Sequence, residues 1–169
     1  KINVITEPTG KNTAPAIALA ISYCKDYLNC CEDEILFVSP ADHLIKPAGK
    51  FAELVQLAEQ VCKEKNDIIT IGVKPIKPET GYGYIQSADK IDDNVFAVKS
   101  FKEKPDKVTA EKYLAEGNYY WNAGMFMFSI GRMETELEQY IPEIVKISQQ
   151  GYEECVNNFS KMPDISIDY

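Results

Sequence analysis

The sequence predicts an α/β fold in which helices flank a mostly parallel central sheet, and three observations favour it. Residues 35–38 and 68–73 are short, nearly all apolar runs, as expected of strands buried on both faces of a sheet. Between them, residues 51–62 place apolar side chains on one face of a helix. Loops rich in proline, glycine and polar residues separate these segments. Such alternation of strands and helices is typical of an α/β domain.

The remaining elements follow in chain order. A short strand at residues 2–5 leads into a turn-rich loop at residues 7–13. Thr13 is expected to cap a helix that has Pro15 in its first turn and runs to about Tyr23. After the loop at residues 74–81 we expect strands at 82–87 and 95–101, a helix at 108–116 ended by Gly117, a strand at 121–130, and helices after Arg132 and Pro142.

Composition narrows the class of protein. The 169 residues, 45% of them apolar and 26% charged, are those of one ordinary globular domain, which we expect to span residues 1–169. No run approaches the roughly 18 apolar residues of a membrane helix. The five cysteines lack metal-binding spacing, so we interpret them as reduced thiols of a cytoplasmic protein. The net charge of −8 argues against nucleic acid as a partner, although a local cluster can still hold one nucleotide.

Asp42 follows the first of the apolar strands at a proline-containing exit. Ligands of open α/β sheets sit beyond the carboxyl ends of the strands, and a carboxylate there suits Mg²⁺. The alternative is that Asp42 merely turns the chain. His43, the single histidine, is interpreted as a packed neighbour of Asp42 and not as a catalytic base.

Two further loops carry candidate binding residues. Glu7 follows the first predicted strand, and a carboxylate can accept the two hydrogen bonds that guanine donates from one edge. A solvated loop glutamate is the alternative. Gly83 would let a ligand approach the backbone, and the neighbouring Tyr82 can pack on a sugar, although glycines of a hairpin would look the same.

The segment Glu103, Lys104 and Pro105 combines two opposite charges with a proline. The residue before a proline is expected to be extended, so the two side chains would point to opposite sides. Glu103 could then hold hydroxyl groups and Lys104 a phosphate, unless the pair simply ends an exposed strand. Asn122 places an amide inside an apolar strand, where it needs a backbone or ligand partner.

Taken together, five motifs resemble bacterial mannose-1-phosphate guanylyltransferases, also called GDP-mannose pyrophosphorylases. They are, in order, residues 12–16 (NTAPA), 40–43 (PADH), 77–85 (KPETGYGYI), 103–105 (EKP) and 121–126 (WNAGMF). The resemblance implies a Rossmann-like nucleotidyltransferase domain that transfers GMP from GTP to mannose 1-phosphate, giving GDP-mannose and pyrophosphate.

The resemblance also implies roles for individual residues. Asp42 would be a Mg²⁺ ligand, and Gly83, Glu103 and Asn122 would bind the sugar while Lys104 binds its phosphate. The residues expected to lie against guanine are Glu7, Asn12 and Thr13. The nucleophile is an anionic phosphate oxygen near neutral pH, because the second pKa of a phosphate monoester is about 6, so no general base is required.

The chain departs from the family pattern at two places. The glycine-rich basic loop that wraps the GTP phosphates is absent, and so is the second metal-binding aspartate, which Asp168 does not replace. We therefore expect a partial domain that is inactive by itself. Two alternatives stay open, namely a nucleotidyltransferase for another base or sugar and a non-catalytic nucleotide-sugar binding module. Oligomeric state is also open, with a homodimer among the options.

Overall fold

The computed structural model describes residues 2–168 and alternates helices with strands, which confirms the α/β class. The helices are α1 (Thr13–Leu28), α2 (Ala48–Lys65), α3 (Lys107–Glu116), α4 (Ile130–Tyr140), α5 (Pro142–Ser148) and α6 (Tyr152–Asn158), followed by a 3₁₀ turn at Phe159–Lys161. The strands are β1 (Ile35–Val38), β2 (Ile69–Val73), β3 (Tyr84–Asp92), β4 (Val95–Lys102) and β5 (Tyr119–Ser129). None of the helices within residues 2–168 is long and apolar enough to cross a bilayer.

The strands form one sheet in the order β1, β5, β3, β4, and β2 also pairs with β5. Strand β3 is antiparallel to both β4 and β5, with Tyr84 opposite Lys102 on one side and Trp121 on the other. The expectation of a mostly parallel sheet is therefore wrong for these two ladders. For β3 and β4 the physical reason is the two-residue turn, Asp93 and Asn94, that joins them, because so short a connection can only make an antiparallel hairpin.

The chain divides into two compact units. The first comprises the chain through Val38, His43–Ile69 and the chain from Met127 onward. In this unit α1 packs against α5 and α6. Its buried side chains include those of Ile17, Leu19, Ile21, Ile144, Phe159 and Met162. Ala58 and Cys62 of α2 pack with Met127, so the predicted apolar face of that helix is confirmed.

The second unit comprises Ser39–Asp42 and Thr70–Phe126. Its core is the buried group Tyr84, Ala110 and Tyr119, with the ring of Tyr113 stacked 3.9 Å from that of Tyr119. Helix α3 ends at Gly117 with φ of 75°, as the sequence predicts, because a residue without Cβ adopts this left-handed conformation at little cost. This unit contains Asp42 and the predicted sugar-phosphate residues.

Several expectations for the first unit are wrong. Residues 2–5 form no strand and leave Ile2 and Val4 almost fully exposed, because no strand of residues 2–168 pairs with them. Strand β1 is only partly buried, with Phe37 exposed, because it lies at one end of the strand order. Asn12, not Thr13, caps α1: its Oδ1 accepts a hydrogen bond of 3.0 Å from the Thr13 amide.

Candidate functional site

The structure brings Gly83, Glu103 and Asn122 together at the start of β3. The backbone amide of Asn122 donates a 2.8 Å hydrogen bond to the carbonyl of Gly83. A methyl group at Gly83 would lie 2.8 Å from Oε2 of Glu103 and 3.6 Å from Cβ of Asn122. Because Gly83 has no side chain, the carboxylate of Glu103 can lie close to the backbone at this position. A glutamate oxygen, an open stretch of backbone and a side-chain amide thus share one small surface.

Lys104 also lies in this group, but its backbone conformation differs from the predicted one. Its φ is +35°, in the left-handed region, so the prediction of an extended residue before Pro105 is wrong. Strand β4 ends at Lys102, so no ladder hydrogen bond holds residues 103–105 extended. As a result, Nζ of Lys104 lies 3.3 Å from Oε1 of Glu103, and the two charges sit side by side.

The side-chain amide of Asn122 is held in place by the backbone of its own strand. Its Oδ1 accepts a 3.0 Å hydrogen bond from the amide of Gly124, which has φ of +65°. A residue with a side chain would be strained at this φ, and a Cβ on Gly124 would also lie 3.4 Å from Cγ of Pro40. The expected partner of the Asn122 side chain is therefore found two residues along the chain, and it fixes the orientation of the amide.

Tyr82 is placed apart from this group. Its ring packs edge-on against Trp121, with the centroids 5.3 Å apart. Trp121 pairs with Tyr84 and packs on the core of the second unit, and neighbouring residues of a strand point to opposite faces. The Tyr82 ring thus belongs with Trp121, on the face opposite to Asn122. The indole Nε1 of Trp121 is buried without a hydrogen-bond partner among residues 2–168, a feature that no sequence signal predicted.

The loop that leads to Gly83 is stabilised by its own contacts. Lys77 and Glu79 form an ion pair of 2.9 Å, and this contact lowers the pKa of Glu79. The hydroxyl of Tyr84 donates a 2.7 Å hydrogen bond to the carbonyl of Glu79. The motif at residues 77–85 therefore carries local contacts that hold Gly83 at the start of β3.

Asp42 lies in a turn after β1 and is exposed to solvent. Within residues 2–168, no three or more histidine, cysteine, aspartate or glutamate side chains converge as metal ligands. Asp42 thus offers one accessible carboxylate at a strand exit, as the sequence predicts. His43 is exposed, so its interpretation as a packed residue is wrong, because the segment after β1 leaves the sheet.

The three residues predicted to contact guanine lie in the first unit and differ in their partners. Oε1 of Glu7 is buried and has no hydrogen-bond partner among residues 2–168. The amide of Asn12 donates to Oδ1 of Asp164 at 3.0 Å, and Oγ1 of Thr13 accepts from the amide of Ile167 at 2.9 Å. Asn12 and Thr13 therefore tie the start of α1 to residues 164–167, whereas Glu7 keeps an unsatisfied acceptor.

Comparison with known proteins defines the class. Residues 1–164 match the family model described as Nucleotidyl transferase, and the chain belongs to this family. The fold is similar to that of a mannose-1-phosphate geranyltransferase from Thermus thermophilus in its crystal structure, with a TM-score of 0.89 and 28% identity over 99% of this chain and 49% of that one. The Rossmann-like nucleotidyltransferase fold implied by the motifs is thereby confirmed.

Two curated relatives are more similar in sequence. The chain is 39% identical to a mannose-1-phosphate guanylyltransferase of Klebsiella pneumoniae over 99% of this chain and 37% of that protein. It is 41% identical to a putative mannose-1-phosphate guanylyltransferase of Vibrio cholerae over 100% of this chain and 38% of that protein. The chain therefore spans less than two fifths of the length of these relatives.

Proposed function

We propose that this protein acts as a mannose-1-phosphate guanylyltransferase, which transfers GMP from GTP to mannose 1-phosphate and releases pyrophosphate. The observation that carries the proposal is the grouping of Gly83, Glu103, Lys104 and Asn122 on one surface. Relatives of 39% and 41% identity that have this activity in their names support the same substrates.

Each member of this group offers contacts that a sugar phosphate can use. The carboxylate of Glu103 accepts hydrogen bonds from sugar hydroxyls, and the amide of Asn122 can donate and accept. Gly83 has no side chain, which lets the Glu103 carboxylate lie close to the backbone at this point. Lys104 can exchange its exposed partner Glu103 for the sugar phosphate, since an ion pair in water is worth little and a dianionic phosphate is the stronger partner.

Asp42 and Glu7 would serve the nucleotide. The single exposed carboxylate of Asp42 fits Mg²⁺, which is commonly bound through one or two carboxylates while phosphates and water complete its shell. When bound, Mg²⁺ would screen the charge of the phosphates. The unsatisfied Oε1 of Glu7 supports its role as an acceptor for guanine donors. Asn12 and Thr13 would contribute to guanine binding through the turn that they fix.

The chemistry requires positioning more than proton transfer. The attacking phosphate oxygen of mannose 1-phosphate is already anionic, because its second pKa is about 6, so the residues do not need to supply a base. Lys104 would hold the phosphate in line with the α-phosphorus of GTP and offset the repulsion between the two anions. Glu103 and Asn122 would fix the sugar. The reaction would take place in the cytoplasm, in keeping with five unpaired cysteines.

A pyrophosphate-release assay on the complete gene product tests this function. We expect release with GTP, mannose 1-phosphate and Mg²⁺, and much less when ATP or UTP replaces GTP or when glucose 1-phosphate replaces mannose 1-phosphate. Preference for another base or sugar would assign the protein to a different nucleotidyltransferase. Tight binding of GDP-mannose without any turnover would instead identify a binding module.

A further inference from the structure

The C-terminal end of α1 brings Cys24 and Cys30 together. The helix ends at Leu28, and Asn29 reverses the chain with φ of 54°. The amides of both Asn29 and Cys30 then donate to the carbonyl of Cys24, the latter at 3.0 Å. Such a helix end typically places the side chain after the turn against one in the last turns of the helix.

The two cysteines are neighbours but are not joined. Both are unpaired and half-buried, and Cys30 is near enough to contribute to the raised pKa of Cys24. A disulfide needs Cα atoms about 4.4 to 6.8 Å apart, and a main-chain hydrogen bond between the same two residues imposes a separation of this order. The remaining cysteines differ, since Cys62 and Cys155 are buried and Cys31 is exposed.

We propose that Cys24 and Cys30 are a redox-modification site, which forms a reversible disulfide by exchange with a low-molecular-weight disulfide such as glutathione disulfide. The thiolate of Cys30 attacks one sulfur of glutathione disulfide, and the S–S bond breaks to release one glutathione thiolate. The thiolate of Cys24 then attacks the Cys30 sulfur of the mixed disulfide and releases the second glutathione. Two protein thiols are oxidised, one glutathione disulfide is reduced to two glutathiones, and the two thiol protons pass to the released thiolates.

The order of the two attacks follows from the surroundings of Cys24. Burial, and then the neighbouring Cys30, raise the pKa of Cys24, so little of it is thiolate at neutral pH. Cys24 is therefore a poor first nucleophile. Once Cys30 carries glutathione, the Cys24 thiol lies against the mixed disulfide, and its high local concentration compensates for its small thiolate fraction.

Peptide mapping of the complete protein after exposure to glutathione disulfide tests the proposal, with the thiols that remain free alkylated before digestion. Among the five thiols of these 169 residues, we expect the loss of two, a disulfide between Cys24 and Cys30, and no retained glutathione on either residue. In Cys24→Ser, glutathione should remain on Cys30. Cys31→Ser is the matched control and should close the Cys24–Cys30 disulfide as the unchanged protein does.

The mapping of the unchanged protein decides the matter even if a variant fails to fold. A disulfide that includes Cys31, glutathione that stays on Cys30 of the unchanged protein, or unreacted thiols at Cys24 and Cys30 would each overturn the proposal. The measurement does not involve nucleotide or sugar, so its outcome is independent of the proposed activity.

Discussion

Nζ of Lys104 lies 3.3 Å from Oε1 of Glu103, so two charges that are adjacent in the sequence form one ion pair. The pair is well exposed, with 65% of the lysine side chain and 43% of the glutamate side chain accessible. An ion pair this exposed contributes little to the stability of the fold. A substitution of Lys104 should therefore change ligand binding and leave the stability of the fold nearly unchanged.

In the complete gene product, in which all the variants below are made, Lys104→Ala should raise the KM for mannose 1-phosphate and leave that for GTP nearly unchanged. A charge-assisted contact of about 1.5 to 3 kcal/mol corresponds to a rise of about 10- to 150-fold. Lys104→Gly is the matched variant, because it removes the same charge and also relieves the left-handed φ, which should stabilise the fold by roughly 1 kcal/mol relative to alanine. Steady-state kinetics and thermal unfolding of both variants measure this. A KM for the sugar phosphate within about twofold of the unchanged protein would remove the phosphate role from Lys104.

Gly83→Ala should weaken mannose 1-phosphate binding without unfolding the protein. The new methyl group would lie 2.8 Å from Oε2 of Glu103, and this carboxylate is the end of a flexible side chain that can move away. The fold survives, but Glu103 leaves the position in which it meets the sugar. Gly81→Ala is the control, because its methyl group would meet only Oε1 of Glu79 at 3.9 Å. Equal KM values for the two variants would contradict the role of Glu103.

Asp42→Asn should abolish Mg²⁺-dependent turnover with little change in stability. Asparagine fills the same volume at an exposed turn but lacks the anionic oxygen that a hard cation prefers. Turnover over a range of Mg²⁺ concentrations, together with the unfolding midpoint, measures both effects. Retention of most activity would exclude Asp42 as a metal ligand, and a failure to fold would favour its alternative role in turning the chain.

The cap of α3 predicts a pH dependence of stability. Oδ1 of Asp106 accepts a 2.7 Å hydrogen bond from the amide of Thr109, and hydrogen bonds from Thr109 lower the pKa of Asp106. The folded state thus favours the carboxylate, and its contribution is complete above the unfolded pKa of about 3.9 and is lost as the pH falls through the lower folded value. Asp106→Ala should therefore be less stable than the unchanged protein at neutral pH, and the difference should shrink below about pH 4. Asp106→Asn is the control, since it keeps an acceptor but does not titrate. A difference that stayed constant down to about pH 2 would contradict this account.

Local sequence rules predicted the elements whose partners lie within a few residues. Helix α3 ends at Gly117, and α2 presents Ala58 and Cys62 to the core, because helix ends and helix faces follow from spacing alone. Strand β3 was predicted too short, since its polar half is held by pairing with β4, up to Asp92 opposite Val95. No periodicity marks a strand that is stabilised mainly by its neighbour's backbone.

The candidate site likewise combines features that the local sequence predicts with features that it does not. Its residue types could be predicted, because a carboxylate, an ammonium group, a glycine and an amide each carry distinct chemistry. The conformation of Lys104 could not be predicted, since the rule for residues before proline assigns the extended region, whereas Lys104 lies beyond the end of β4 and has a positive φ. The position of Tyr82 also required the pairing of Tyr84 with Trp121, which is a contact between distant parts of the chain.

Trp121 is the only tryptophan of the chain, and its indole ring lies 5.3 Å from the ring of Tyr82. The indole fluorescence of these 169 residues therefore originates from one ring, next to Asn122 in the sequence. Its emission wavelength reports how polar this environment is, and excitation at the long-wavelength edge of indole absorption, where tyrosine absorbs little, selects it. The chain thus contains an intrinsic optical probe at the strand that carries its candidate sugar site, and ligand titrations can be followed without a label.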